Sequence, residues 1–334
     1  MMAPQASDKP RMARALWYVK PGAVELRTAP LPPPGPGVAR VRSLFSGISR
    51  GTERLICAGG VAQSEWERMR APMQEGDFPF PVKYGYCATG IVEDGPADLV
   101  GARVFALHPH QDYFNAAIEA LVKIPEGLPA RRATLAANME TALNALWDSG
   151  AGPGDRIVVV GAGVVGLLLA ALAARLPGST VTAVDVAAGR RSLLASLGVG
   201  FALPQAAPTE ADVVFHASAS GAGLNTAIKC AGFEASIVEL SWYGAHTVNV
   251  DLGTAFHSRR LRLIASQVGQ VSPSRRPRWS FRRRLEVALG LLAAPALDQL
   301  VAEDIAFDSA PDTLPRLLAA DAPGLAPVIR YPEP

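Results

Sequence analysis

The sequence predicts an α/β fold, in which a β-rich N-terminal half precedes a doubly wound parallel sheet. Three observations predict it. Residues 157–160 form an apolar, β-branched run that leads through glycines into an Ala- and Leu-rich segment and a second such run at 180–184. Further apolar runs at 213–215, 236–240 and 261–265 alternate with helical stretches. In the N-terminal half, short strand-like segments are separated by turns, and this pattern suggests a barrel-like domain.

The turn after the first buried run carries the strongest motif. Gly161, Gly163 and Gly166 give the pattern G-x-G-x-x-G where a strand should turn into a helix, and Val164 and Val165 begin that helix. The first glycine permits a tight turn, the second lets a pyrophosphate approach the backbone, and the third allows close packing of helix on strand. The pattern therefore predicts a dinucleotide-binding turn.

An acidic residue ends the second buried run. Asp185 follows the third glycine by nineteen residues, where a carboxylate can accept hydrogen bonds from an adenosine ribose. Its charge would repel a 2′-phosphate, which favours NAD over NADP. Arg190 and Arg191 favour the opposite choice, because an arginine near this strand end can hold that phosphate. We predict NAD as the cofactor, with NADP as the alternative.

Composition excludes several classes. The chain has 334 residues, a net charge of +2 and three scattered cysteines, so it has neither a disulfide framework nor a four-cysteine zinc lobe. Near-neutral charge argues against nucleic acid or a membrane surface as the main partner. Residues 157–176 are about long enough to span a bilayer, but their glycines and charged flanks disfavour that interpretation. Residues 1–12 are predicted to be a disordered leader, and the protein to be cytoplasmic.

Nearly the whole chain resembles the medium-chain dehydrogenase/reductase superfamily. The anchors are the glycine turn with Asp185, the strand end at 218–220 and the stretch 238–244. The resemblance implies a GroES-like catalytic domain at 13–137, a Rossmann domain at 138–271 and a C-terminal return to the catalytic domain at 272–334. It also implies that Ser218, Trp242 and Tyr243 line the nicotinamide side of the cofactor site.

Zinc-dependent members of that superfamily hold a catalytic metal in a G-I-C-x-T-D pattern, a G-H-E pattern and a later cysteine. Here the first pattern places Ser49 or Arg50 at the ligand position, the second has Tyr86 in place of histidine, and the third falls near Ala137 or Asn138. None of these suits a catalytic zinc. We predict a zinc-independent member with no metal site.

One other metal site has to be considered. His108 and His110, with Cys87 or Asp112, can in principle chelate a metal. Because Pro109 lies between the histidines, we favour polar loop histidines near the cleft instead.

Residues 46–53 and 84–86 are also similar, locally, to the branch that contains bacteriochlorophyllide dehydrogenases. This similarity implies a secondary alcohol–ketone interconversion on a bulky substrate. Without zinc, Tyr86 is the candidate donor to the substrate oxygen, although it can equally just fill the vacated space. Thr52 matches the family's proton-relay hydroxyl. Arg50 is a candidate for contacting the pyrophosphate or the substrate, and Glu140 is the candidate base.

An arginine cluster at 275–284, interleaved with Trp279 and Phe281, suggests nucleic acid at first. In a near-neutral chain we favour a salt-paired or anion-binding surface, which would suit an anionic substrate. A homodimer formed through an edge strand at 261–268 is expected by analogy with the family. Two alternatives to an alcohol dehydrogenase remain: a quinone or enoyl reductase, and a non-catalytic dinucleotide-sensing or nucleic-acid-binding protein.

Overall fold

The structure is a computed structural model that describes residues 10–319, 322 and 324–333. It divides into two compact units, the first formed by Met1–Leu135 with Val301–Pro334 and the second by Ala136–Leu300. The chain thus leaves the first unit once and returns to it near the C-terminus. The segment 272–300, which we predicted to belong with the catalytic domain, lies in the second unit instead.

The strands are numbered in chain order. Those in the N-terminal part of the first unit are β1 (Arg11–Lys20), β2 (Ala23–Leu31), β3 (Val38–Gly47), β4 (Glu75–Gly76), β5 (Val82–Lys83), β6 (Ala88–Asp94), β7 (Arg103–Ala106), β8 (Tyr113–Ala117) and β9 (Val122–Lys123). Those of the second unit are β10 (Arg156–Val160), β11 (Thr180–Val184), β12 (Gly200–Ala202), β13 (Ala211–His216), β14 (Ala231–Glu239) and β15 (Arg262–Ala265). The return adds β16 (Val301–Ala306) and β17 (Ala326–Arg330).

The helices concentrate in the second unit. The α-helices are α1 (Arg50–Ala58), α2 (Ala130–Ala133), α3 (Ala136–Ser149), α4 (Val164–Ala173), α5 (Arg191–Ser196), α6 (Gly221–Cys230), α7 (Phe281–Leu291) and α8 (Ala310–Leu317). Short 3₁₀ turns lie at Gln63–Glu65, Ile118–Ala120, Ala188–Arg190, Pro204–Ala206, Pro295–Leu300 and Phe307–Ser309, and a π-type turn at Leu252–Phe256.

The first unit is built from two sheets. One has the order β2-β1-β5-β4, and the other has the order β16-β17-β3-β6-β7-β9 with β8 also paired to β3. Strand β3 alternates buried and half-buried residues, as expected for a strand with one face on the core. Val41, Val92, Val104 and Phe114 belong to one apolar cluster that joins these strands. The C-terminal return therefore completes a sheet begun by residue 38.

The second unit is a parallel sheet with the order β12-β11-β10-β13-β14-β15. Its central strand β10 is buried at each residue from Ile157 to Val160, because helices cover both faces of such a sheet. Strand order reverses between β10 and β13, which is where ligands of this fold bind. The predicted α/β fold with a doubly wound parallel sheet is confirmed.

The structure also bears on the predicted leader, the predicted edge strand and the possibility of a membrane-spanning helix. Residues 1–9, most of the predicted leader, lie outside the described residues, whereas Arg11 and Met12 belong to β1. Strand β15, inside the predicted segment 261–268, does lie at the edge of its sheet. Within the described part of the chain, no helix combines the length and the apolar character needed to cross a membrane.

Candidate functional site

The glycine turn sits at the end of β10, beside the point where strand order reverses. Gly161 has φ of +105°, and a Cβ there would lie 2.8 Å from the backbone of Ala217 and Ser218. A Cβ on Gly166 would lie 1.9 Å from the carbonyl oxygen of Gly161. No atom lies within 4 Å of a Cβ built on Gly163. Two glycines are therefore fixed by packing, whereas the middle one faces open space of the kind a pyrophosphate needs.

Asp185 holds the glycine turn as well as ending β11. Its Oδ2 accepts from the Ala162 amide at 2.6 Å, and its Oδ1 accepts from the Ala187 amide at 2.8 Å. The carboxylate is half-buried and keeps further lone pairs for a ribose hydroxyl. The Arg191 guanidinium lies over the Phe201 ring, 4.8 Å from its centroid. The two amide hydrogen bonds therefore hold the Asp185 carboxylate, which is the residue predicted to contact the ribose.

A hydrogen-bonded chain occupies the ends of β13 and β14. His216 is fully buried, and its Nδ1 lies 2.7 Å from Glu239 Oε2 while its Nε2 lies 2.7 Å from Ser218 Oγ. Tyr243 donates its hydroxyl hydrogen to Glu239 Oε2 at 3.1 Å. Trp242 is half-buried beside it. Ser218 and Tyr243 are thus brought together, through two residues that the sequence analysis did not select.

In the first unit, α1 and the loop before β6 bring three hydroxyl side chains together. The Tyr86 phenol donates to Thr52 Oγ1 at 3.1 Å, and Ser49 also contacts it. We call Ser49, Thr52 and Tyr86 the hydroxyl cluster. Burial raises the pKa of Tyr86 above its ordinary value, so the phenol stays protonated and able to donate. The structure thereby joins two of the predicted catalytic residues.

Behind the hydroxyl cluster lies a buried polar network. Glu53 Oε2 accepts from Tyr18 at 2.7 Å and lies 2.9 Å from His110 Nε2. His110 Nδ1 lies 2.7 Å from Ser46 Oγ, which in turn lies 2.9 Å from the Tyr331 hydroxyl. Each of these residues is at most 4% exposed. The network ties β1, β3, α1 and the C-terminal tail to a single carboxylate.

The charge of Glu53 is stabilised despite its burial. Desolvation alone would raise its pKa, but His110, Tyr18 and the Ser49 amide outweigh it and lower the pKa below the ordinary value. The Ser49 amide donates to Oε1 at 2.7 Å, so the same carboxylate also holds the start of α1. No local pattern in the sequence predicts this role of Glu53, since its partners come from distant segments.

Arg50 donates to backbone carbonyls near the C-terminus. Its Nη1 donates to the Gly324 carbonyl at 2.9 Å, and its Nη2 donates to the Ala322 carbonyl. Arg54, one turn later, donates to the carbonyls of Leu318 and Ala319. Both guanidinium groups thus connect α1 to backbone carbonyls that follow α8, which is a structural role, and a contact of Arg50 with cofactor or substrate stays a prediction.

Glu140 is buried against an arginine of another helix. It is 5% exposed, and Arg284 from α7 donates to its Oε1 at 2.9 Å. Arg284 further donates to Asn144 and to the carbonyls of Val268 and Gln270. Burial raises the pKa of Glu140, while Arg284 opposes that rise. We interpret Glu140 as the buried partner of Arg284, which joins α3 to α7, and its role as a base stays a prediction.

Three other arginines of the cluster also have protein partners. Arg282 pairs with Glu286 at 2.9 Å. Arg276 donates to the Val271 carbonyl, and Arg283 donates to the Arg278 carbonyl while lying over Trp279. The sequence left two interpretations open, a salt-paired surface and an anion-binding surface, and these contacts favour the first.

The residues do not fit a catalytic zinc. The predicted ligand positions hold Ser49 or Arg50, Tyr86, and Ala137 or Asn138, whereas zinc sites use thiolate, imidazole and carboxylate ligands. Among the described residues, no group of three or more His, Cys, Asp or Glu side chains is placed to hold a metal. His108 stacks on Phe114 and His110 belongs to the buried network. The two histidines lie in the loop between β7 and β8, as we expected, but both are buried.

The fold of the chain, a Rossmann sheet with a GroES-like β domain, is similar to that of solved dehydrogenases. A protein of Sinorhizobium meliloti 1021 described as a zinc-binding dehydrogenase and bound to NADP superposes with a TM-score of 0.76 at 20% identity, over 96% of this chain and 99% of that one. The short chain alcohol dehydrogenase rspB of Escherichia coli CFT073, complexed with NADH, superposes with a TM-score of 0.75 at 15% identity over the same shares.

The sequence relatives match a smaller part of this chain than the structural neighbours do. D-xylulose reductase A of Aspergillus niger is 28% identical over 169 residues, which cover 50% of this chain and 43% of the relative. The chain spans about half the length of the curated relatives it matches, from 42% to 59%. No protein-family model matches the chain.

Proposed function

We propose that the protein is an NAD(P)-dependent oxidoreductase of the medium-chain type, which interconverts a secondary alcohol and a ketone without zinc. The glycine turn carries this proposal. It combines two glycines that packing makes irreplaceable, an open middle glycine and an anchored carboxylate on the next strand. The names of the relatives and structural neighbours, which include dehydrogenases and a reductase, support the same reaction class.

The residues that would hold the dinucleotide are Gly161, Gly163, Val164, Val165 and Gly166 at the pyrophosphate and Asp185 at the adenosine ribose. When bound, its nicotinamide supplies the hydride acceptor or donor. The hydroxyl cluster would stabilise the substrate oxygen, because the neutral phenol of Tyr86 is a hydrogen-bond donor. Thr52 accepts the Tyr86 hydrogen in the absence of substrate and so holds the phenol in place.

Asp185 is expected to determine the choice between NADH and NADPH. Asp185→Asn should weaken NADH binding about 10- to 100-fold, because one amide nitrogen would face a backbone N–H and a charged acceptor is lost. NADPH binding should weaken less, since the repulsion of its 2′-phosphate also disappears. Fluorescence titration of both reduced dinucleotides measures the two dissociation constants.

Asp212→Asn is the matched control, because Asp212 is a half-exposed carboxylate that likewise accepts from a backbone amide, that of Arg156, at 2.8 Å. It should leave both dissociation constants unchanged. If wild-type protein prefers NADPH, the assignment of NAD is wrong while the oxidoreductase proposal stands.

The second prediction concerns Tyr86. Tyr86→Phe should lower kcat about 100-fold, in the range measured when one donor to a developing oxyanion is removed. NADH affinity should change less than about threefold, because the phenol acts on the substrate oxygen. Tyr113→Phe, which removes a phenol beneath Arg11 in the same unit, should retain kcat. Equal kcat in wild type and Tyr86→Phe would mean that Tyr86 only fills the space of the missing histidine.

A substrate panel tests the reaction class itself. Polyols and ketoses, simple secondary alcohols, hydroxyethyl chlorins, quinones and enones are each assayed with NAD(H) and NADP(H). Turnover of an alcohol–ketone pair supports the proposal, whereas turnover of quinones or enones alone supports the C=C or quinone reductase. NADH binding without turnover of any class, together with salt-sensitive RNA binding, would support a non-catalytic protein.

The size of the substrate and the oligomeric state are proposed from other observations. We propose a bulky substrate on the local similarity at 46–53 and 84–86. We no longer propose a negative charge on the substrate, because Arg282 and Arg284 of the cluster at 275–284 are paired with Glu286 and Glu140. We propose a homodimer through β15, which lies at the sheet edge and leaves Leu263 43% exposed.

A further inference from the structure

The buried His216 has partners on both ring nitrogens, and their identities fix its tautomer. Glu239 Oε1 accepts from the Ser241 amide at 2.7 Å, and its Oε2 accepts from Tyr243 at 3.1 Å. A carboxylate held by these donors is an acceptor only. In the neutral ring, the single hydrogen of His216 therefore lies on Nδ1, which donates to Glu239, and Nε2 is the acceptor.

This tautomer determines the direction of the Ser218 hydroxyl. Since Nε2 accepts, Ser218 donates its hydrogen to it across 2.7 Å. The Ser218 oxygen then has its lone pairs available, and Ser220 Oγ lies 3.0 Å away. A hydroxyl that donates to an imidazole backed by a carboxylate can pass its proton inward and take another from outside.

The position of Ser218 relates this chain of groups to the dinucleotide. Ser218 is partly exposed at the carboxyl end of β13, and its backbone lies against Gly161, the first glycine of the turn. It thus borders the crevice where strand order reverses and where ligands of such sheets bind.

We propose that Ser218, His216 and Glu239 form a proton relay of the dinucleotide crevice, in which His216 Nε2 accepts a proton through Ser218 Oγ. The inference rests on the proposed function, because the proton is the one an alcohol releases when it becomes a ketone. The bound dinucleotide would supply the hydride acceptor for the carbinol hydrogen, and the hydroxyl proton of the alcohol passes to Ser218 as Ser218 gives its own to Nε2. Glu239 stabilises the resulting imidazolium, which is buried and returns the proton to water through Ser218 once the product has left.

Within the described residues, the titratable groups in contact with the His216 ring are Glu239 and Tyr243. His216 and Glu239 act through Ser218 and are positioning residues in this scheme. Since the three side chains act as one unit, removing any of them should cost about as much as removing two.

The test begins in the free protein. Long-range ¹H–¹⁵N NMR of His216 should show a protonated Nδ1 and an unprotonated Nε2 near pH 8. In Glu239→Gln, whose amide can donate to Nδ1, the Nε2-protonated form should appear. An Nε2-protonated His216 in wild-type protein would overturn the relay whether or not the protein has dehydrogenase activity.

Kinetics then test the relay with the best alcohol of the panel. Ser218→Ala and His216→Gln should each lower kcat about 100- to 1000-fold and abolish the alkaline rise of its pH profile. The double variant should be no slower than either single one, with the NADH dissociation constant within about threefold of wild type. Thr226→Ala, which removes an exposed hydroxyl of α6, should match wild type.

Two results would contradict the relay. In the first, the kcat losses of the two single variants multiply in the double variant, and in the second, the single variants keep the wild-type kcat. If wild-type protein binds NADH but oxidises no alcohol, the proposed function fails instead, and the NMR result still decides the arrangement of the relay.

Discussion

Gly166→Ala should abolish dinucleotide binding, with a loss of at least about 100-fold in NADH affinity. An alanine Cβ at this position would lie 1.9 Å from the Gly161 carbonyl oxygen, which is well inside any van der Waals contact. Helix α4 would have to move away from β10, and the amides at its start would no longer converge on a pyrophosphate. Isothermal titration with NADH measures the loss.

A second variant separates binding from folding. Gly163→Ala meets no atom within 4 Å, so the protein should keep its thermal stability to within about 2 °C. Its methyl group would nevertheless occupy the space left for the pyrophosphate, and NADH affinity should fall at least about 10-fold. Gly152→Ala, in an open loop ahead of β10, should change neither quantity. Undiminished NADH affinity in Gly163→Ala would show that the turn is not the phosphate site.

Glu53→Gln should destabilise the first unit by about 2–4 kcal/mol at pH 7. The amide keeps the shape of the carboxylate but has one acceptor oxygen, so one of the donors Tyr18, His110 and Ser49 amide would face an NH₂ group. Leaving a buried donor unsatisfied costs about 1–3 kcal/mol, and loss of the charge partner adds to it. Urea unfolding, followed by the fluorescence of Trp17 in the same unit, measures the change.

The effect should depend on pH with a definite sign. Because the pKa of Glu53 is lowered in the folded protein, its contribution is complete above the pKa of the unfolded chain, near 4.5. It disappears as pH falls through the lower folded pKa. The difference between wild type and Glu53→Gln should therefore be constant from pH 7 to 5 and shrink below about pH 4.

Glu65→Gln, at a partly exposed carboxylate paired with Arg68, provides the control. It should change stability by less than about 0.5 kcal/mol, as is usual for surface pairs. A difference between wild type and Glu53→Gln that stayed constant down to pH 3 would mean that Glu53 is not ionised in the folded protein.

Local signals made the dinucleotide turn predictable. Gly161, Gly163, Gly166 and Asp185 lie within 25 residues of one another, and each answers a steric or charge requirement that a short segment sets. The arginine cluster was harder, because a row of guanidinium groups looks the same whether its partner is a ligand or a buried acid. Glu140, the partner of Arg284, lies 144 residues away.

The polar strand ends were within reach of the sequence. His216 and Glu239 each end a buried apolar run, and parallel strands bring such ends to one edge of a sheet. The network around Glu53 gave no such signal, since Tyr18, Ser46, His110 and Tyr331 share no period or motif.

By itself the sequence determined the α/β fold, the position of the glycine turn and the absence of Cys and His from the positions where zinc-dependent medium-chain dehydrogenases hold their metal. These follow from hydrophobic period and backbone sterics, which act over a few residues. Only the tertiary structure decided which polar groups are buried as pairs, and so which candidate residues remain available for chemistry. A buried charge is stable only beside a partner, and the fold alone determines which distant residue that partner is.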